Sequence, residues 1–299
     1  MKTLAVVCAD IHLAHKKPSA RSSEPDWYTA QGRMLDQLRS IAEQEQAPIL
    51  CAGDVFHRFN PPPALINFAI ERLPPMYAVP GQHDQQHHRK SLEPTAFLTL
   101  VKTGVIKPIN ELVSLDRLVV HGWGWGESVQ PVERNQWDEH SLHLALIHQY
   151  CATAATAHPG ASKASRPSAM RAMLRGYDFA VFGDNHIPFE TKVMDCQVYN
   201  CGCFLRRSKN ERVNHTSVGV IKEDGTIERR ELDCSQDLWA DDELDDTPSL
   251  DFSGFVTELD SISRESLDYT HALRRAAENE AQRVRTVLLQ TLENVDDAS

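Results

Sequence analysis

Residues 48–57 read Pro-Ile-Leu-Cys-Ala-Gly-Asp-Val-Phe-His, an apolar run followed at once by a glycine and an aspartate. A short apolar run of this kind predicts a buried β-strand, here Pro48–Ala52. Gly53 permits the sharp turn with which such a strand ends, so the carboxylate of Asp54 projects from the strand end. Similar segments recur through the first 235 residues, and several of them end in residues that can bind a metal or transfer a proton.

The strand-like segments share short length and apolar, β-branched character. They are Thr3–Cys8, Pro48–Ala52, Met76–Val79, Leu118–His121, Leu142–Ile147, Asp178–Phe182 and Ser217–Ile221. Helical spacing predicts helices over Trp27–Gln46 and Ala64–Leu73, and a turn signal at 223–225 predicts a β-hairpin. The early alternation of strand and helix indicates an α/β layered fold. Ala152–Ser168, rich in alanine, serine and proline, is interpreted as a mobile loop.

The charge of the chain is uneven. The net charge is −11, yet residues 1–235 hold 26 acidic and 26 basic side chains, whereas residues 236–299 hold 16 and 5. The acidity therefore does not exclude a polyanionic substrate. No segment approaches the roughly 18 apolar residues of a membrane span. Seven cysteines without paired spacing predict reduced thiols in a cytoplasmic protein; Cys196, Cys201 and Cys203 match no common zinc finger and are expected to be buried.

Five polar clusters follow predicted strands in order. They are Asp10-Ile11-His12, Gly53-Asp54, Gly81-Gln82-His83-Asp84, His148, and Gly183-Asp184-Asn185-His186. Each alone is more often a turn or a structural residue, but the carboxyl ends of strands in an α/β sheet form one edge, where sites assemble. Asp10 and His12 are two residues apart, so an extended backbone would send both to one side to share a cation. Carboxylate and imidazole together suit manganese, iron or zinc better than calcium.

The order D-x-H, G-D, G-[N/Q]-H-D, H, G-x-x-H resembles the calcineurin-like metallophosphoesterase superfamily. Gly53–His57 followed by Pro61-Pro62 is similar to the subgroup of DNA-repair exonucleases of the SbcD-like and bacteriophage recombination type. The resemblance implies an α/β fold, a four-layer αββα metallophosphoesterase sandwich over residues 1–235. An acidic linker (236–250) and a helical C-terminal appendage (251–299) would follow it.

The resemblance also implies roles for the clustered residues. Asp10, His12 and His186 would hold a first divalent metal, Asp54 would bridge both, and Gln82, His148 and Asp184 would hold the second. His83 would protonate the leaving oxygen, with Asp84 as its orienting partner, in a two-metal hydrolysis of phosphodiester bonds. Manganese is the favoured ion, with magnesium, iron and zinc as alternatives.

Two positions depart from the family pattern, which has asparagine at Gln82 and histidine at Asp184. A carboxylate at the second position is a harder donor, so we expect the second metal position to favour manganese or magnesium over zinc. The alternative is that this position is impaired and that the protein is a catalytically inactive metal-binding adaptor.

Basic and imidazole side chains that follow the motifs are candidates for substrate binding. They are Lys16, Lys17, His57, Arg58, Arg206 and Arg207. Repeated cations suit a DNA backbone better than one small phosphate, although loops are also the default place for basic residues. A phosphatase or small-molecule phosphodiesterase of the same superfamily is the alternative.

The resemblance implies a partner as well, a separate ATPase subunit of the SbcC type. The amphipathic tail could contact it or fold back on its own domain, and a homodimer is left open; no membrane association is expected. Trp123 and Trp125 could stack on bases, but packing at the edge of the core is favoured.

Overall fold

Two six-stranded sheets lie face to face in the computed structural model, which describes residues 1–86, 92–110, 112–158 and 160–240. The first sheet has the order β12-β11-β1-β2-β3-β4 and the second β5-β6-β7-β8-β10-β9. The strands are β1 (Thr3–Cys8), β2 (Ile49–Cys51), β3 (Met76–Ala78), β4 (Ile106–Pro108), β5 (Leu112–Leu115), β6 (Leu118–Trp123), β7 (Leu142–His148), β8 (Phe179–Gly183), β9 (Phe189–Val193), β10 (Cys196–Asn200), β11 (Ser217–Lys222) and β12 (Ile227–Glu231). The helices are α1 (Trp27–Glu45), α2 (Pro63–Arg72) and α3 (Ala96–Lys102).

Strand direction explains why one edge of each sheet can carry a site. Strands β1 to β4 are parallel, as are β6, β7, β8 and β10, so their carboxyl ends point the same way within each sheet. The antiparallel members β11, β12, β5 and β9 lie at or near the sheet margins. The predicted hairpin is the β11–β12 pair.

The core has three layers of apolar contact, because strand residues alternate between the two faces of a sheet. On β1, Val6 and Cys8 pack toward the helices with Leu35 and Leu38 of α1, whereas Ala5 and Val7 pack in the cluster between the sheets. The four-layer α/β sandwich predicted from the sequence is confirmed.

The outer layer on the second sheet consists of short 3₁₀ helices and turns in the part that the structure describes. Met170 and Leu174 pack there against β8 residues such as Phe182. The segment interpreted as a mobile loop contributes two of these 3₁₀ helices, Lys163–Ser165 and Pro167–Met170. The second half of that segment thus contains regular 3₁₀ turns rather than irregular loop alone, and its mobility stays a prediction.

Several smaller expectations can be compared directly. The seven cysteines are free, and six of them, including Cys196, Cys201 and Cys203, are buried. Trp123 packs against the apolar cluster on the outer face of the second sheet, and its Nε1 donates to the Tyr177 hydroxyl at 3.2 Å. This agrees with the expected packing at the edge of the core. No helix among the described residues is long and apolar enough to cross a membrane.

Residues 233–240, which follow β12, contact the rest of the domain. The Asp237 carboxylate pairs with Arg21 at 2.7 Å and with Arg206 at 2.8 Å, and Arg21 also pairs with the buried Glu24. The Trp239 ring lies 5.0 Å from the Arg21 guanidinium. Residues 236–240, predicted as the start of a linker, thus belong to a compact unit that runs to Ala240. The predicted helices of residues 251–299 lie outside the described residues.

One carboxylate ties α1 to the first sheet. At the end of α1, Glu45 accepts from Lys222 Nζ on β11 and from Arg230 Nη2 on β12, both at 2.8 Å, and from the Thr3 hydroxyl on β1. These donors, led by the Lys222 hydrogen bond, outweigh burial and lower the pKa of Glu45 to about 2. The ionised Glu45 carboxylate therefore joins α1 to β11 and β12 through its ion pairs with Lys222 and Arg230.

We expect Glu45→Gln to lower the free energy of unfolding by about 1–3 kcal/mol at neutral pH, since each pKa unit corresponds to about 1.4 kcal/mol. The folded pKa lies below the ordinary 4.5. The stabilisation is therefore complete above pH 4.5 and is lost as the pH falls through about 2. Denaturant unfolding across this pH range measures it, with the exposed Glu71→Gln as control. If the wild-type protein remained more stable than Glu45→Gln at a pH of about 2, the lowered pKa of Glu45 would not be the cause of the stabilisation.

Candidate metal centre

The loops after β1 and β2 are held together by a backbone ladder that continues past both strands. Asp10 N donates to Gly53 O at 3.1 Å, His12 N donates to Asp54 O at 2.9 Å, and Leu13 bridges to Phe56. Because the two loops remain paired, the side chains of Asp10, His12 and Asp54 are brought to the same point above the sheet.

Four of the predicted metal ligands have left-handed backbone conformations. Asp10, His12, Asp54 and Asp184 have φ values of 52°, 50°, 54° and 78°. Such conformations are uncommon for residues with a side chain and persist only where the surroundings impose them. The extended backbone proposed for Asp10 and His12 was wrong, although the two side chains do converge; they do so because both residues turn back toward the sheet edge.

Glycines make room for this convergence. A Cβ at Gly81 would lie 2.0 Å from Asp54 Oδ1, and one at Gly53 would lie 2.3 Å from His148 Nδ1. Gly53 also has φ +88°, as the predicted turn requires, whereas Gly81 has an ordinary φ of −94°. At Gly81 the requirement is therefore close approach of side chains rather than backbone freedom.

Asp10, His12 and His186, which were predicted to hold the first metal, form the first group, with ligand atoms within 4.8 Å of one another. His12 Nε2 lies 3.1 Å from His186 Nε2 and 4.0 Å from Asp10 Oδ1. His186 Nδ1 lies 2.7 Å from Glu211 Oε1. When Nδ1 donates to this carboxylate, the lone pair of His186 is on Nε2, on the side of the group.

Glu211 is a member of the site that sequence analysis missed. It accepts hydrogen bonds from the backbone N–H groups of Arg207 and Ser208 at 2.6 and 2.8 Å, in addition to its contact with His186. The signal available in the sequence is Ser208-x-x-Glu211, the pattern of a capping box at the 3₁₀ helix Lys209–Val213.

Asp10, Asp54 and His148 form the second group with ligand atoms within 4.8 Å of one another, and Gln82 and Asp184, the other ligands predicted for the second metal, lie beside it. His148 Nδ1 donates to the Ala52 carbonyl at 2.6 Å, and its Nε2 donates to Gln82 Oε1 at 2.6 Å and lies 3.5 Å from Asp54 Oδ2. A cation bound by Nε2 would take the place of that proton. The Gln82 amide donates to Asp184 Oδ1. The two residues that depart from the family pattern therefore contact each other beside His148.

The shared carboxylate is the best test of whether cations fit here. Asp54 is 1% exposed; its Oδ1 accepts from His83 N at 2.9 Å, but its Oδ2 has no hydrogen-bond partner. That oxygen lies 3.5 Å from both His12 Nε2 and His148 Nε2. A buried carboxylate oxygen without a partner, between two imidazole nitrogens, is the arrangement expected of a ligand that bridges two cations. The residues present fit a pair of divalent ions.

The electrostatics show how much the site favours positive charge. Burial raises the pKa of Asp10 to about 7. Burial lowers the pKa of His148, but the Asp54 and Asp10 carboxylates outweigh it and raise the pKa to about 10. Protons therefore compensate the buried carboxylates near neutral pH, and bound cations would replace those protons.

His83 lies beside these groups with its ring 5.0 Å from that of His12. Its Nδ1 lies 3.0 Å from the His57 carbonyl, so the proton on Nδ1 is fixed there and Nε2 remains free to exchange a proton. The His57 ring stacks on His83 at 5.3 Å. Burial, followed by the nearby Arg207 charge, lowers the pKa of His57 to about 3, so this ring is neutral.

Asp84 does not orient His83 as predicted. Its buried carboxylate accepts hydrogen bonds from three backbone N–H groups, those of Val55, Phe56 and Gly81, at 3.0–3.2 Å. Adjacent side chains diverge in the 3₁₀ turn Gln82–Asp84. Asp84 therefore joins the loop after β3 to the loop after β2 and acts on His83 only through the backbone.

Five of the six residues predicted to bind substrate line one cavity of about 370 Å³ next to this centre: Lys16, Lys17, His57, Arg58 and Arg207. The sixth, Arg206, was predicted to bind substrate but does not line this cavity. Its guanidinium is bound to Asp237 and to the carbonyls of Arg212 and Cys234, and its side chain is 12% exposed. Adjacent residues of an irregular segment point apart, so only Arg207 faces the cavity.

We expect two manganese ions per chain at saturation, and fewer than one for Asp54→Asn, because the substituted side chain lacks the charge that both groups share. Metal analysis after equilibrium dialysis measures the stoichiometry. Asp195→Asn, which changes an exposed carboxylate outside both groups, is the matched control. Fewer than two ions on the wild-type protein would count against this centre.

We expect Glu211→Gln to weaken manganese binding at one of the two positions by about 10–100-fold, as loss of a carboxylate behind a ligating histidine typically does. Calorimetric titration resolves the affected position, and the Glu133→Gln variant of an exposed carboxylate is the control. Thermal unfolding of both variants separates lost affinity from lost folding. Unchanged manganese affinity in a folded Glu211→Gln protein would show that Glu211 only accepts the backbone hydrogen bonds of Arg207 and Ser208 and does not support metal binding by His186.

Comparison with known proteins identifies a family for this chain. A family model described as calcineurin-like phosphoesterase matches residues 4–188. Among solved structures, a proposed 5′-nucleotidase from Staphylococcus aureus is 12% identical with a TM-score of 0.46, covering 96% of this chain and 58% of that chain. An archaeal phosphodiesterase is 14% identical with a TM-score of 0.39, covering 76% of this chain and 99% of that one. The comparison with curated proteins gives no match. The family match spans more than half of the sequence, and the chain belongs to the calcineurin-like phosphoesterase family.

Proposed function

We propose that the protein hydrolyses phosphodiester bonds in DNA with manganese, as the nuclease of a repair or recombination complex. Phosphoester hydrolysis with divalent metal ions is the chemistry of the family. The observation that supports a polynucleotide is the cationic cavity beside the metal centre.

The cavity has two kinds of wall. Leu13, Pro62 and Leu65 provide apolar surface, and the charged side chains of Lys16, Lys17, Arg58 and Arg207 surround it. An apolar wall suits a sugar or base, whereas several cations suit more than one phosphate. His57 belongs both to this cavity and to a cluster of three imidazoles with His12 and His83. A strand bound in the cavity would therefore lead directly to the reacting position.

A pair of divalent cations supplies polarisation of a phosphoryl oxygen and activation of a water molecule when bound. The residues of this chain do the rest. Asp54 and Asp10 provide buried negative charge that holds the cations, and Glu211 and the Ala52 carbonyl fix the orientation of His186 and His148. His83 presents Nε2 to donate a proton to the leaving oxygen, since its Nδ1 is held by the His57 carbonyl. Arg207 provides a partly buried cation for a neighbouring phosphate.

The contact with a separate ATPase subunit remains part of the proposal, through residues 251–299. Those residues lie outside the described part of the chain, and the support for the contact is the resemblance of the motif series.

We expect the manganese-loaded protein to degrade linear or hairpin DNA, and His83→Ala to lower that rate by about 10²–10⁴-fold, the usual contribution of a positioned acid. Release of nucleotides and turnover of an aryl phosphodiester are measured in parallel. His140→Ala, an exposed histidine distant in sequence from the motifs, is the control. Turnover of the aryl ester without DNA cleavage would favour a phosphatase or small-molecule phosphodiesterase. No turnover of either would favour the non-catalytic adaptor.

A further inference from the structure

A second cationic cavity, of about 520 Å³, lies on the edge strand β9. It is lined by Arg166, Arg171 and Lys192, by hydroxyl groups including those of Thr153 and Ser168, and by the side chain of Met194. No carboxylate lines it among the described residues. The cavity therefore combines positive charge and hydrogen-bond donors with an apolar wall of Ala154, Pro167, Val193 and Met194.

Two of the three cations in this wall are exposed, and the third has a buried nitrogen without a hydrogen-bond partner. Arg166 Nη1 is buried and has no hydrogen-bond partner. Arg171 and Lys192 are exposed, and no ion pair with a described carboxylate is formed by either. Nearby Arg175, by contrast, is paired with Glu133 at 3.0 Å. A buried guanidinium nitrogen without a partner is costly unless an acceptor completes it.

The cavity is close enough to the metal centre to contact the same strand. Thr191 in its wall is five residues after His186, so their Cα atoms are at most about 17 Å apart. Successive phosphates of one DNA strand are spaced about 3.4 Å along the helix axis. Strand β9 runs away from the carboxyl edge of the sheet, and Met194 in the cavity wall is eight residues after His186, at most about 28 Å away. A strand of about eight nucleotides would therefore span both positions.

The loop between the two positions is fixed to the metal-centre segment. The side-chain amide of Asn185, next to His186, donates to the Cys151 carbonyl at 2.9 Å. Thr153 is bound to Thr156 within the same loop. The part of the cavity wall around Thr153 is therefore tied by hydrogen bonds to the residue beside His186.

We propose that this cavity binds a phosphate group of the DNA strand at a distance from the cleaved bond. The proposal rests on the proposed nuclease function and adds to it a second backbone contact made by Arg166, Arg171 and Lys192. The protein would then prefer a strand that reaches both cavities over a short nucleotide.

The test compares wild-type protein with Arg171→Gln/Lys192→Gln, in which two exposed cations are removed. Binding of a labelled duplex that spans both positions is measured with calcium in place of manganese, at several salt concentrations. We expect the double variant to bind the duplex about ten-fold more weakly at low salt. The slope of log K against log salt concentration should fall by about two, one for each cation removed. Turnover of the aryl phosphodiester with manganese is expected to be unchanged. Lys102→Gln/Lys107→Gln, with two exposed lysines of α3 and β4, is the matched control and should bind as wild type.

Arg166→Gln provides a second measurement, since it changes the buried guanidinium, and its thermal unfolding is followed to confirm folding. Duplex binding equal to wild type in both variants would overturn this inference, even if inorganic phosphate bound the cavity. Wild-type protein that cleaves the aryl ester but binds no duplex would overturn the nuclease function itself. The two failures are therefore distinguished by the wild-type result alone.

Discussion

A carboxylate removed from water, that of Asp54, is the constraint on which the rest of the centre depends. One of its oxygens accepts from His83 N, and the other has no hydrogen-bond partner and lies 3.5 Å from a ring nitrogen of both His12 and His148. Isolated buried charge is strongly unfavourable. The surrounding imidazoles, and the cations they would share with Asp54, are what make this placement tolerable.

The same constraint accounts for the unusual backbone around it. Asp10, His12, Asp54 and Asp184 are all left-handed, and Gly81 has no side chain that would collide with Asp54. Each left-handed residue costs on the order of 1 kcal/mol or more. That cost is offset elsewhere, by the paired backbone between the loops and by the apolar layers beneath them.

Much of this organisation could be predicted from the sequence, because it depends on order along the chain. Apolar runs identified the parallel strands, and the polar residues after them had to meet at a common edge. The remaining features of the site depend on the direction in which each side chain points, which the order of residues along the chain does not specify. Neighbouring residues diverged at Asp84 and at Arg206, and left-handed dihedrals rather than an extended backbone brought His12 to Asp10. Glu211 was missed because it is 25 residues beyond His186 in an irregular segment, where only its capping pattern marks it.

The ion pairs of Asp237 have a practical consequence for dissecting the protein. A fragment that ended at residue 235 would keep Arg21 and Glu24 in the interior but remove the carboxylate shared by Arg21 and Arg206. Arg206 precedes Arg207, whose backbone N–H is bound to Glu211, so the disturbance would begin one residue from the support of His186. A shortened protein intended to keep the metal centre intact should therefore extend through Ala240, the last residue of this compact unit.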